Sequence, residues 1–306
     1  MPIAKKLDLV TVGHFAIDNI SLPNMTHSRT TLGGPPTYVS VTASKLGAKV
    51  GVISKVGDDF PRKYQEWLRE NGVDLSGLKQ AGGSLTTRFF LEYSANYERV
   101  LQRTALAPRI VINDVRVTMK PKIIHVAPIS RELSMNIITR LRRSAPTLSL
   151  DPQGFVRNFD TRGKARLRRW APISILEQID IFKSSMEEMQ MVTGTSDVKQ
   201  GARKIQDYGV KLVIVTHGLR GSTLLHEGAF HNIPSCKPRA VVDPTGAGDS
   251  YIGGFLAEFI QGKDSLWCAC VGSASASFVV EGIGPERFGE KHETYERARQ
   301  IYRKDL

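Results

Sequence analysis

The residues best suited to chemistry form one run, Val241-Val242-Asp243-Pro244-Thr245-Gly246-Ala247-Gly248-Asp249-Ser250. Beyond it, Ile252, Phe255, Leu256 and Phe259 recur at helical spacing, which predicts an amphipathic helix over Tyr251 to Ile260. The glycines then stand at a helix N-terminus, where unpaired backbone N–H groups and the positive end of the helix dipole attract anions. Gly246, Ala247 and Gly248 read as an anion hole, since glycine has no side chain to hold a phosphate off the backbone. Asp249 falls in the first helical turn beside it. A carboxylate there takes the proton from an attacking hydroxyl while the N–H groups hold the charge that develops on a transferred phosphoryl group. The competing reading is a glycine-rich loop with Asp249 as a plain helix cap; the length of the run and its flanks favour the chemical one.

Such a site needs elements to hold it. Leu7 to Gly13, Gly51 to Val56, Lys122 to Val126, Thr147 to Asp151, Ile179 to Phe182 and Leu212 to Thr216 read as strands. Helices are predicted over 37–46, 61–70, 132–143, 186–192, 247–260, 266–280 and near 293–303, with a loop and a basic helix after Asp151. Thr86 to Tyr93 with Arg99 to Thr104, and Ser222 to His226 with Ala229 to Pro234, read as hairpins. Alternation of strand and helix implies an α/β fold with a mostly parallel sheet covered on both faces, whose ligands sit at the carboxyl ends of the strands. The 306 residues suit a single α/β domain, 1–306, carrying a small excursion.

Lys and Arg outnumber Asp and Glu by 42 to 30, a formal charge of +12. The densest basic clusters, Arg140 to Arg143 and Arg162 to Arg169, carry no interleaved aromatics, so they read as solvated surface and no nucleic-acid partner is expected. No apolar stretch reaches membrane-spanning length, and the N-terminus lacks the layout of a signal peptide. Cys236, Cys268 and Cys270 are too few for a disulfide framework. Together these point to a cytoplasmic protein without a membrane partner.

At the 243–249 run the sequence resembles the ribokinase-like carbohydrate kinases, the PfkB family, whose signature Asp-Thr-Thr-Gly-Ala-Gly-Asp reads here with Pro244 in second place. The resemblance extends to Leu32-Gly33-Gly34, to Val52-Ile53-Ser54-Lys55-Val56-Gly57-Asp58-Asp59-Phe60 and to Val213 through Gly221. It implies a ribokinase-like fold with a small β lid, grown from residues 15–31 and 84–105, that excludes water. It also implies an ATP-dependent, magnesium-requiring kinase acting on a hydroxyl of a small sugar or polyol, with Asp249 as the catalytic base. Asp18 matches the aspartate that binds substrate hydroxyls, and Gly33 and Gly34 the pair that lets substrate and hinge approach the backbone. Thr216 and Gly218 match positions near the ATP phosphates, and Gly221 the turn beyond. The family's Asn-x-x-Glu motif reads Ser185 and Glu188: the carboxylate that organises water around magnesium is kept, the amide is not. The Asp243 to Thr245 loop is where the family would host a monovalent cation, and a homodimer through the lid is compatible with the resemblance.

Several segments, among them Arg99 to Arg103, Leu150 to Arg157 and Phe182 to Ser185, are similar to myo-inositol kinases, which makes myo-inositol the leading expected acceptor. Asp18, Arg103, Asp151 and Gln153 would then meet its hydroxyls. The alternatives are ribose, fructose, ketodeoxygluconate or a nucleoside. A nucleoside would need a broader aromatic pocket, for which Phe15, Tyr38, Phe89 and Tyr97 are the candidates. Outside the enzyme class stands a catalytically silent nucleotide sensor, against which the presence of Asp249 argues. His14 is expected to be a structural histidine rather than a substrate ligand.

Overall fold

Short runs of β-branched and aliphatic residues, buried at every position, build the centre of the molecule. Leu9–Val12 and Ile123–Val126 are of this kind, as strands covered on both faces must be. The computed structural model describes residues 6–23, 25–96, 99–115, 119–170 and 173–302. Its main sheet has ten strands. From one edge they run Ala229–Ile233, Ser222–His226, Leu212–Thr216, Ile181–Ser185, Thr147–Leu150, Ile123–Val126, Leu9–Val12, Val50–Gly57 and Val73–Asp74, with Leu78–Ala81 also paired to Val50–Gly57. All pairings are parallel except the two that add the Ser222–His226 and Ala229–Ile233 hairpin.

Each face has its own core. Pro35–Lys45, Ala247–Phe259 and Ser265–Val279 bury Val39, Val41, Ile252, Phe255 and Val271 against one face. Met135–Arg142, Met186–Thr193 and Val198–Asp207 bury Ile137, Leu141, Met189, Val192 and Ile205 against the other. The fold is an α/β architecture with a mostly parallel sheet covered on both faces, as the sequence implied. A second sheet, ordered Arg29–Gly33, Ala16–Ser21, Thr87–Tyr93 and Arg99–Ala105, leaves the main one after Leu9–Val12 and has a small core of Ile20, Phe89, Leu91, Tyr93 and Leu101. Its strands occupy 16–33 and 87–105, against an expected excursion of 15–31 and 84–105.

Two local expectations fail. The basic stretch after Asp151 is no helix: a single turn, Gln153–Val156, leads into the antiparallel pair Arg157–Phe159 and Ala165–Leu167. Arg162, Lys164, Arg166 and Arg168 alternate with period two, a strand pattern, and Asp160 Oδ1 accepts the Arg162 and Lys164 N–H groups to make the turn. The helix Val198–Asp207 was not anticipated. Its signal is Asp197, which caps it by accepting the Gln200 N–H at 2.7 Å, followed by Val198, Ala202 and Ile205 at helical spacing. The three cysteines are buried and unbridged. Among the described residues no helix is long and apolar enough to cross a membrane.

Candidate active site

The helix Ala247–Phe259 begins where its sequence says it should. Gly246, its N-cap, sits at φ 78°, a left-handed conformation glycine adopts without strain, and a β-carbon there would fall 2.3 Å from the Tyr38 ring. This turn aims the first N–H groups of the helix at the carboxyl ends of the parallel strands. Asp249, on the first turn, lines two cavities at once. On one side a narrow space of about 60 Å³ is bordered by Asp18, Arg99, Gln153, Arg157 and an apolar wall of Phe89, Leu91, Leu101 and Ile129. On the other, about 500 Å³ is bordered by Asp151, Lys183, Ser185, Glu188, Thr216, Gly218 and Gly248. Past Thr216, Gly218, Gly221, Ala247 and Gly248 lies a third, mostly apolar space of about 280 Å³, walled by Leu219, Cys236, Val241, Tyr251, Ala276 and Val280.

Burial pushes the Asp249 carboxyl up to about 6, against the pull of the Lys183 and Arg157 charges and a hydrogen bond from Gln153 Nε2 at 3.1 Å. A carboxylate so poised is deprotonated at neutral pH yet basic enough to accept a proton. Behind it, Asp151 ends the strand Thr147–Leu150 with its carboxylate fully buried. Its Oδ2 meets Lys183 Nζ at 2.7 Å, and its Oδ1 accepts the Gln153 N–H at 3.0 Å. Burial lowers the affinity of Lys183 for its proton, but Asp151, Glu188 and Asp249 outweigh that and leave its pKa raised, so it is a fixed cation.

Asp18 lies on the strand Ala16–Ser21, buried to 4% exposure, and its Oδ1 has no partner among the described residues. Burial, with Asp243 and Asp249 adding to it and Arg99 opposing, pushes its carboxyl to about 7. Gly33 is required by this same group: a β-carbon would fall 1.8 Å from Asp18 Oδ2. Gly34, at φ 85°, runs so close to the chain at His14 that a β-carbon would fall 2.4 Å from the His14 carbonyl oxygen. The glycine pair thus seats Asp18 and lets two backbone segments pack; Gly34 also borders the narrow cavity.

The other expected residues divide. Thr216 and Gly218 border both the 500 Å³ and the apolar spaces, and Gly221 the apolar one. Ser185 caps the helix Met186–Thr193: its hydroxyl accepts the Glu188 N–H at 3.2 Å and donates to Glu187 Oε2 at 2.8 Å. Glu188 Oε2 returns the cap by accepting the Ser185 N–H at 2.9 Å, while its Oε1 lies 3.6 Å from an Arg157 Nη2. Arg103 is not brought to the site. Its Nη1 donates to Ser130 Oγ at 2.7 Å and its guanidinium covers the Phe159 ring at 4.4 Å; Arg99, four residues back on the same strand face, lines the cavity instead. Phe15 is also absent, stacked on Phe60 in the core, and Tyr97 lies outside the described residues. His14 is structural, its Nδ1 2.8 Å from Thr87 Oγ1. Asp243 Oδ1 accepts from the Thr245 N–H and hydroxyl, and its Oδ2 accepts the Gly284 N–H, which fixes the loop where the family would host a monovalent cation.

Lys183, Arg157 and Arg99 were missed. Lys183 had a signal: a lysine within Ile181–Ser185, a strand in the interior of the sheet, where burial demands a partner. Arg157 and Arg99 had only the segment similarity noted above, because it is the fold that brings those basic positions to the cavities.

The model of the pfkB family carbohydrate kinases matches residues 6–290. This chain belongs to that family. It is 30% identical over 284 residues to a cytidine kinase of Thermococcus kodakarensis, covering 91% of this chain and 98% of that one. Among solved structures, a pyrophosphate-dependent kinase of the ribokinase family superposes with a TM-score of 0.82 at 25% identity, covering 94% of this chain and 99% of the other. A pyrophosphate-dependent myo-inositol kinase variant gives 0.81 at 25% identity, over 95% and 98%. Membership makes the chain a kinase of the sugar and nucleoside class.

Proposed function

We propose that the chain transfers the γ-phosphoryl group of ATP to a hydroxyl of a small acceptor bearing a neighbouring diol, and that a nucleoside fits the acceptor side best. The observation that carries this is the place of Asp249, on the wall shared by the narrow cavity beside Asp18 and the larger one beside Lys183. In this reading the diol donates to Asp18 and the reacting hydroxyl gives its proton to Asp249. The N–H groups from Gly246 to Gly248 and the Lys183 ammonium receive the charge spreading over the phosphoryl oxygens. Gln153 holds the Asp249 carboxylate in place. The small sheet serves as a lid. It is tied to the anion loop by a hydrogen bond between Tyr93 and the Thr245 hydroxyl at 2.9 Å, and it keeps out the water that would otherwise accept the phosphoryl group. Magnesium fits as a hydrated ion on the donor side, where Glu188 would hold it through water; when bound it neutralises phosphate charge.

The donor is read as ATP rather than pyrophosphate because of the apolar space beyond the phosphate site, which suits a nucleobase and has no use for a bare polyphosphate. The acceptor is read as a nucleoside because Phe89, Leu91, Leu101 and Ile129 line the same cavity as Asp18. A flat base would meet those apolar side chains; a cyclitol with hydroxyls all round would leave some facing them. The 30% identity to a cytidine kinase supports the same choice. Myo-inositol is the second reading, favoured by the TM-score of 0.81 and by how narrow the space beside Asp18 is. A coupled assay over cytidine, other nucleosides, myo-inositol, ribose and fructose, each with ATP and with pyrophosphate, tests both choices. A tenfold preference for myo-inositol over every nucleoside overturns the acceptor, and a preference for pyrophosphate overturns the donor.

A further inference from the structure

Four arginines stand outside the chemistry so far described. Arg109, Arg131, Arg168 and Arg169 converge on a groove of about 610 Å³, completed by Leu133, Ser134, Met135, Phe155 and Trp170. That volume is within the range of small-molecule sites. No carboxylate lines it, and none of the four takes part in an ion pair among the described residues. Burial and the charges of Arg168 and Arg109 make Arg131 easier to deprotonate, the mark of cations held together without a counter-ion.

The local backbone explains how they meet. Arg131 adopts φ 59°, uncommon for a residue with a side chain. This turn sends its guanidinium to the groove. The next residue, Glu132, goes inward to accept the N–H groups of Ile129, Ser130 and His14. Arg168 and Arg169 follow the strand Ala165–Leu167, whose alternation turned the expected basic helix into an edge of this groove. Ser134 precedes the helix Met135–Arg142, yet its hydroxyl donates to Asn136 Oδ1 instead of capping, so the positive end of that helix adds to the groove. The floor is rigid: Trp170 stacks on Phe155 at 4.8 Å and 4°.

We propose that this groove is a second anion site, which takes a small polyphosphorylated metabolite through paired guanidinium–phosphate contacts. Planar guanidinium groups are suited to this geometry, and a bound phosphate would end their mutual repulsion. The concave shape favours a small molecule over a nucleic-acid strand, which would need an extended stripe. Phe155 lies on the same turn, Gln153–Val156, that places Gln153 on Asp249. Occupancy is therefore felt at the catalytic carboxylate.

The test is calorimetric titration with inorganic pyrophosphate at 0.15 M salt, on wild type, on Gly248→Val and on the double variant Arg131→Ser, Arg168→Ser. A β-carbon at Gly248 would fall 2.7 Å from Lys183 Nζ, inside the donor phosphate site. Two sites are expected in wild type, one lost in Gly248→Val and the other weakened at least about tenfold in the double variant, by the usual worth of charged hydrogen bonds. Basal phosphoryl transfer by the double variant should stay at the wild-type level, whereas its response to added pyrophosphate is lost. A single site abolished by Gly248→Val, or unchanged affinity in the double variant, overturns the proposal. Tighter binding of a 20-nucleotide RNA than of pyrophosphate, lost in the same double variant, overturns it in favour of a nucleic-acid surface. Loss in the double variant with no change in Gly248→Val would leave the groove standing and refute the donor site.

Discussion

The two sides of Asp249 are built on opposite principles. On the donor side the buried charges are paired: Asp151 with Lys183 at 2.7 Å, and Glu188 with the Ser185 N–H and Arg157. On the acceptor side Asp18 Oδ1 and the Tyr38 hydroxyl are buried without partners among the described residues. A satisfied network holds its geometry before anything binds. An unsatisfied buried group costs stability until a ligand meets it. On the function proposed above, the donor half is thus preorganised for the phosphoryl group, while the acceptor half gives up stability in exchange for selectivity.

The group shared by both halves should show the largest effect. Asp249→Asn is expected to lower kcat by about 10² to 10⁴, the usual worth of a general base, with ATP binding retained. Because the base must be deprotonated and its carboxyl is pushed up to about 6, kcat/KM in wild type should fall as pH drops through that value. A variant turning over like wild type would remove Asp249 from the chemistry. Next comes the donor side. Lys183→Met leaves Asp151 buried without its cation, and breaking one member of such a pair costs about 3–5 kcal/mol. Denaturant unfolding should show that loss at neutral pH. If stability were unchanged, the donor network would not be the preorganised half.

How far these residues could be read from sequence follows the same division. The helix N-terminus at Gly246 to Asp249 and the strand ends at Thr216 and Asp151 are local features, written in glycines, apolar spacing and strand-ending residues. Of the small sheet, the hairpin near 86–104 was legible from its turn-forming residues, whereas the strands Ala16–Ser21 and Arg29–Gly33 rested on the resemblance alone. What failed depended on distant packing. Arg103 and Arg99 share a strand face, and only the placement of Ser130 and Phe159 diverts one of them from the cavity. Gly33 looked like room for substrate, whereas its missing β-carbon makes room for Asp18, fifteen positions earlier in the chain. The basic run at 162–169 was judged by charge density when its period was the better guide.

On the acceptor side, Asp18→Ala should lower kcat/KM for the acceptor by about tenfold to a hundredfold, since the diol is left unpaired in a closed site. The ATP affinity should be spared. Weakened ATP binding with normal acceptor kinetics would reverse the orientation of the two substrates.

The smallest effect sharpens the contrast most. Asp18→Asn keeps the shape of the side chain and removes its charge, so it should stabilise the free protein where Lys183→Met destabilises it. Burial pushes the Asp18 carboxyl from the ordinary 3.8 to about 7, which means the folded state favours the protonated form. Well below pH 3.8 the carboxyl is protonated folded or unfolded, and the substitution should change nothing. As pH rises toward 7 the unfolded chain ionises freely while the folded one resists. Above 7 the folded protein carries the full cost of a buried charge. The gain from Asn should therefore vanish well below pH 3.8 and be fully developed at pH 8, about 1–3 kcal/mol, the cost of a buried polar group left unpaired. Thermal unfolding of both proteins across that range, without acceptor, checks it. A gain that is flat with pH would mean Asp18 is not the strained group, and equal loss of stability in Asp18→Asn and Lys183→Met would erase the distinction between the two halves.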